Sequence, residues 1–172
     1  MYGIPHIATG DMIREMKERD TDLGRQVREV YDRGDLVSDD LMIELIRDRL
    51  SRGDTLGGFV LDGFPRTMAQ AEALDELLRE LERRLDVVFD FQVPDRDQLL
   101  QRMLKRAAEE NRSDDTPEAM RRRLELYDRE TAPLTEYYRS TQGNVVGIHA
   151  DRSIEEVFHE IEQSLSSVEA RT

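Results

Sequence analysis

The chain has no cysteine, so it can form neither a disulfide nor a Cys-based zinc site, which suits a reducing cytoplasm. Histidine is scarce, and the isolated His6, His149 and His159 offer no metal spacing. No apolar run approaches the roughly 20 residues of a membrane span. The opening "MYGIPHIATG" lacks the charged start and apolar stretch of a secretory signal. Positive charge is also in deficit: 25 Lys and Arg stand against 38 Asp and Glu, a net charge of −13. That balance argues against a dedicated binder of nucleic acid or of an anionic membrane. A small polyanionic ligand would need a local basic cluster set against the global sign.

What is present suits one domain with small mobile insertions, since 172 residues can bury one good core. With 38% hydrophobic and 37% charged residues the chain reads as soluble, very polar and globular; the same composition fits a thermotolerant source. Strand candidates are short and apolar: Ile4–Ala8, Phe59–Leu61, Val87–Val93 and Val145–His149. Long helical patterns lie between them. Met68–Leu85 carries Ala71, Leu74, Leu78, Leu81 and Leu85 on one stripe, and Ser38–Leu50 opens on a Ser cap with Asp39 and Asp40 in its first turn. Thr116 and Pro117 open another helix, which Pro133 kinks or breaks. Ser153 and Glu156 form a capping-box pattern ahead of Ile154, Val157, Phe158, Ile161 and Leu165. Strands alternating with helices predict an α/β fold, a parallel sheet with helices on its faces.

In such folds ligands bind just past the carboxyl ends of the strands. After Ile7 comes "ATGDMIRE", in which Thr9 can cap a helix whose N-terminus suits an anion, with Arg14 further along it. An ordinary cap and a surface arginine read the same way. After Leu61, Asp62 stands where phosphate-transfer enzymes place the acid that holds magnesium, though it also suits a capping carboxylate. Arg66 can take a phosphate bidentately or make a surface ion pair. Gln70, one turn on, has an amide able to read a base edge. A third cluster is basic: Arg102, Lys105, Arg106, Arg112, Arg121, Arg122 and Arg123 gather in an otherwise acidic chain, with Asp114 and Asp115 able to pair with them. Taken alone, such a run is a solvated face laced with ion pairs.

Together, "YGIPHIATGDMIRE", "DLVSDDLMIELIRDRL", "GFVLDGFPRTMAQAEAL" and "RRRLELYDRETAPLTEYYR" resemble the adenylate kinase family, from Tyr2 to about Leu165. The resemblance implies a three-layer P-loop NTPase-type α/β fold and reversible phosphoryl transfer, ATP + AMP = 2 ADP, in adenine nucleotide homeostasis. It implies a core over 1–172 with an AMP-binding flap at 9–37 and a short lid at 105–116, too short for the larger, sometimes zinc-binding form. Thr9, Gly10 and Arg14 then match AMP contacts, Leu36 and Val37 the wall beside adenine, and Gly63 and Arg66 AMP phosphate contacts. Gln70 matches the amide that reads adenine. Arg112 and Arg123 match the arginines that clamp the transferring phosphates, Arg102 and Arg106 those over ATP, and Arg152 a backbone carbonyl at the ATP adenine. Asp62 matches the acid near Mg2+, reached through water. ATP, AMP and ADP are the implied partners, with Mg2+ as cofactor and no zinc, in a cytoplasmic monomer that binds no nucleic acid or membrane.

One family part is missing from these residues. The family opens with a strand, the loop G-x-x-x-x-G-K-[ST] and a helix leading into "YGIPH", whereas Met1 stands inside the end of that helix. No G-x-x-x-x-G-K pattern occurs in the chain, and "GDTLGGF" has glycines but no lysine and precedes a strand. The expectation is a sheet without its central first strand, marginal stability, and little or no kinase activity for the chain as written. Three readings stay open: a short-lid adenylate kinase with a mis-assigned or clipped start, a non-catalytic AMP-binding remnant, and a UMP/CMP kinase, against which Thr9 and Gln70 argue.

Overall fold

The computed structural model describes residues 3–110 and 115–169, and strands alternate with helices through it. His6–Ala8 (β1) leads into Thr9–Lys17 (α1), Asp22–Asp32 (α2) and Asp39–Leu50 (α3). Val60–Asp62 (β2) precedes Met68–Glu80 (α4), and Val88–Gln92 (β3) precedes Arg96–Glu109 (α5). Pro117–Leu126 (α6), Pro133–Thr141 (α7), Val145–His149 (β4) and Ile154–Glu169 (α8) complete the order.

Both strand pairs are parallel, as helical crossovers require. β1 pairs with β2, setting Ile7 opposite Leu61 and Ala8 opposite Asp62. β3 pairs with β4, setting Phe89 opposite Val146 and Phe91 opposite Ile148. The parallel, helix-flanked α/β arrangement expected from the sequence is therefore present. Among the described residues the ladder falls into two two-stranded pieces, not one continuous sheet.

Helical spacing explains where the core sits. Ile13 and Lys17 of α1, Val27 and Tyr31 of α2, and Met42, Ile46 and Leu50 of α3 recur every fourth residue and turn inward. All but Lys17 meet Ile7, Phe64, Leu74, Leu77 and Leu78 in the larger core, beside the β1–β2 pair. A smaller cluster joins Ala71, Leu134 and Tyr138, against Val88 and Val145. The other end is thinly covered. α5 buries none of its residues. α8 forms the expected capping box, with Ser153 N–H donating to Glu156 Oε2 at 3.0 Å and Glu156 N–H to Ser153 Oγ at 3.3 Å. Its apolar stripe is only partly covered: Val157, Ile161 and Leu165 are half-buried, while Ile154 is 84% and Phe158 50% exposed.

One helix end and two caps depart from the sequence reading, and the first three strands differ from it by one or two residues at their ends. α4 stops at Glu80, not Leu85: Glu82 takes φ of 53°, Glu82 N–H bonds the Arg79 carbonyl at 3.1 Å and Arg83 N–H the Leu78 carbonyl at 2.7 Å. That is a Schellman ending built on glutamate instead of glycine, and Leu81 and Leu85 still reach the core beyond it. Thr9 and Ser38 do not cap their helices with their side chains. Pro133 does break its helix: without an N–H to offer, it follows a π-helical turn at Tyr127–Thr131, closed by Ala132 N–H to the Tyr127 carbonyl at 2.8 Å.

Candidate functional site

The tip of β2 is folded back on itself. Thr9, fully buried at the start of α1, aims its hydroxyl at the carbonyls of Asp62 (3.0 Å) and Gly63 (2.9 Å). It thus ties the two strand tips together instead of capping α1. Gly63 has φ of +76°, and a Cβ there would lie 2.8 Å from both Thr9 Oγ1 and Arg66 Nη2. Only glycine satisfies both the conformation and the space. The turn continues through a cis Phe64–Pro65 bond, and Arg66 Nε donates to the Gly63 carbonyl at 2.8 Å. Burial, with the Arg123 charge adding to it, holds the Arg66 guanidinium below its usual range. A guanidinium still stays charged at neutral pH.

Thr67 then caps α4, accepting from Gln70 N–H at 3.2 Å. Gln70 is only 2% exposed, and its amide is oriented at both ends. Its Oε1 accepts from Arg66 N–H at 2.8 Å, and its Nε2 donates to Asp39 Oδ1 at 2.8 Å. The Thr67 hydroxyl donates to the same Asp39 oxygen at 3.0 Å, so the first turn of α3 fixes the amide.

Thr9, Gly63, Arg66 and Gln70 line a cavity of about 20 Å³, together with Ile13, Tyr31, Gly34, Asp35, Leu36, Val37, Met42 and Arg123. That volume holds about one water, whereas small-molecule sites take roughly 300–1,000 Å³. A nucleotide enters only if the elements over the cavity move apart. Gly34, at φ +80°, lets the loop after α2 approach α6 closely: a Cβ there would lie 2.5 Å from the Ala119 carbonyl.

Seven residues expected from the sequence thus converge here: Thr9, Leu36, Val37, Gly63, Arg66, Gln70 and Arg123. Gly10 and Arg14 lie alongside. A Cβ on Gly10 would stand 3.5 Å from Arg14 Nη1 and 3.6 Å from the Tyr31 hydroxyl. Arg14 donates to that hydroxyl at 3.1 Å and pairs with Asp11. Sequence reasoning missed Ile13, Tyr31, Gly34, Asp35 and Met42. Ile13 and Met42 belong to the apolar helix stripes, and that periodicity was the available signal. Tyr31 gave the same signal, four residues after Val27.

The basic cluster divides. The Asp115 carboxylate, fully buried, pairs closely with Arg123 and lies 3.6 Å from Arg106. One carboxylate thereby links α5 to an arginine of the cavity wall. Arg102 instead donates to the backbone carbonyls of Ala150 and, at 3.4 Å, Arg152. The Arg152 guanidinium lies 3.9 Å from Glu160. Arg112 and Asp114 fall outside the described residues. Asp62 is exposed, with His6 Nε2 3.1 Å from its Oδ2. The described residues bring no three His, Asp or Glu together as a metal cage, and none of their helices is long and apolar enough to cross a membrane.

Parallel strands flanked by helices, with arginines and a glycine turn at the strand tips, define the class: an α/β protein with a cation-lined cavity at the carboxyl end of its sheet. Comparison with known proteins narrows it. The adenylate kinase family model matches residues 1–143. An adenylate kinase of Leptospira biflexa is 44% identical over 164 residues, 95% of this chain and 87% of the relative. One from a Cyanothece species is 48% identical over 142 residues, covering 83% and 72%. One from Archaeoglobus fulgidus is 37% identical over 195 residues, covering 98% and 89%. The chain belongs to the adenylate kinase family.

Proposed function

We propose that this chain serves reversible phosphoryl transfer, ATP + AMP = 2 ADP, with the cavity at the β2 tip as its AMP site. The observation that carries this reading is the meeting of Arg66, Arg123, the Thr9–Gly63 turn and the oriented Gln70 amide around one small cavity. Phosphoryl transfer asks little covalent chemistry of the protein. It needs positioned cations, in-line geometry and exclusion of water.

Arg66 and Arg123 supply charge for the AMP phosphate, with Arg14 beside them and Arg112 as a further clamp. Gln70, its amide fixed by Asp39, selects adenine between Leu36 and Val37. Gly10 and Gly63 leave room for the ligand. Arg102 and Arg106 lie over ATP, whose adenine meets the Arg152 carbonyl. Residues 9–37 act as the flap over AMP and 105–116 as the short lid. The lone exposed carboxylate of Asp62 suits Mg2+, a cation that keeps most of its waters and comes with substrate phosphates. When bound with ATP, Mg2+ neutralises the phosphate oxygens. The protein works as a cytoplasmic monomer.

Calorimetric titration with AMP, UMP, CMP and GMP, paired with a coupled ADP assay, tests this reading. AMP preference with ADP formation supports it, and AMP binding that never leads to ADP contradicts the transfer. A preference for UMP or CMP overturns the adenine assignment.

A further inference from the structure

Tyr31 is the meeting point of three cations from two elements. The residue is only 8% exposed. Lys17 Nζ lies 5.4 Å from the ring centroid and Arg123 Cζ 5.1 Å, while Arg14 Nη1 donates to the hydroxyl at 3.1 Å. Arg14 and Lys17 come from α1, Arg123 from α6, and Tyr31 itself from α2. The ring also lines the cavity that holds Arg66 and Gly63.

Like charges gathered this closely repel, and something has to hold them. Carboxylates do part of it: Asp11 pairs with Arg14, Asp32 with Lys17 at 2.8 Å, and Asp115 with Arg123. A further carboxylate in the wall would cancel the charge that an anion needs. A neutral aromatic face attracts cations through its quadrupole without subtracting charge, and a phenol oxygen accepts from a guanidinium in the same way. The ring therefore holds the cations at the wall without adding to the negative charge already paired with them.

We propose that Tyr31 is the positioning residue of the phosphate end of this site, holding Arg14 and Arg123 where a nucleoside monophosphate's phosphate meets them. The inference rests on the AMP reading above and adds a residue to it. Tyr31 acts through the arginines, so its contribution depends on the phosphate and not on the nucleoside.

The test is calorimetric titration of wild type, Tyr31→Phe and Tyr31→Leu with AMP and with adenosine, alongside thermal melts. Tyr31→Phe keeps the ring and loses only the acceptor for Arg14, so AMP affinity falls about threefold. Tyr31→Leu loses both and falls about tenfold, while adenosine affinity stays within about twofold. Equal losses for AMP and adenosine would make Tyr31 a plain apolar wall and overturn the proposal, as would unchanged AMP affinity in both variants. If Tyr31→Leu fails to fold, Tyr31→Phe decides by the same AMP-to-adenosine comparison. Wild type that binds no AMP overturns the AMP reading along with this one. Wild type that binds AMP, with variants indifferent to it, overturns the tyrosine assignment alone.

Discussion

The Thr9 hydroxyl lies 2.9 Å from the Gly63 carbonyl oxygen, and this contact joins the start of α1 to the turn that carries Arg66. The same hydroxyl reaches the Asp62 carbonyl at 3.0 Å. Thr9→Val keeps the shape and deletes the donor, leaving backbone carbonyls short of a partner in a buried place. The expected cost is about 1–3 kcal/mol, read as a lowered melting temperature, with AMP affinity reduced because the β2 tip loosens. Unchanged melting and unchanged affinity would show that the contact does not matter.

Gly63→Ala is expected to be worse for binding than for folding. A positive φ costs a non-glycine residue about 1–3 kcal/mol, and the new Cβ meets Thr9 Oγ1 and Arg66 Nη2 at 2.8 Å. Moving the Arg66 head is the easier relief, so AMP binding falls at least tenfold while the fold persists. Titration and a thermal melt on the same sample check both halves.

Asp115 holds Arg106 and Arg123 with a fully buried carboxylate. Asp115→Asn leaves two guanidinium groups facing a neutral amide. The arginines left behind keep contact with solvent, so the expected cost is that of lost charged hydrogen bonds, about 1.5–3 kcal/mol, to be read from urea unfolding. A loss below 1 kcal/mol would place the pair among the surface contacts.

Asp35 supplies the pH dependence. The Arg122 hydrogen bond, 2.8 Å long, holds the Asp35 carboxyl below its ordinary value of 3.8. A depressed carboxyl contributes stability that is fully present above that ordinary value and is lost as pH falls through the folded one. The melting-temperature gap between wild type and Asp35→Asn should therefore stay constant from neutral pH to about 5 and close on further acidification. A gap that widens in acid contradicts the assignment.

Much of this was legible in the sequence because it was local. The strand Val145–His149, the Thr116–Pro117 start, the capping box at Ser153 and Glu156 and the break before Pro133 all rest on short-range chemistry. Less was legible where distant contacts decided. No glycine marks the end of α4, so the turn at Glu82 could not be seen. Thr9 looked like a cap, yet the carbonyls of Asp62 and Gly63, more than 50 residues away, claimed its hydroxyl. The stripe of α8 was read correctly as a face, but periodicity does not say how much of that face is covered. Asp35 and Tyr31 enter the site only because α2 folds against α1 and the loop after it reaches α6.

The most direct measurement is a calorimetric titration of AMP into wild type and Arg66→Ala. The expected result is one AMP per wild-type chain and at least a tenfold loss in the variant, since Arg66 is the half-buried cation folded onto the Gly63 turn. No binding by folded wild type at millimolar AMP, or equal binding by Arg66→Ala, would contradict the assignment of this cavity to AMP.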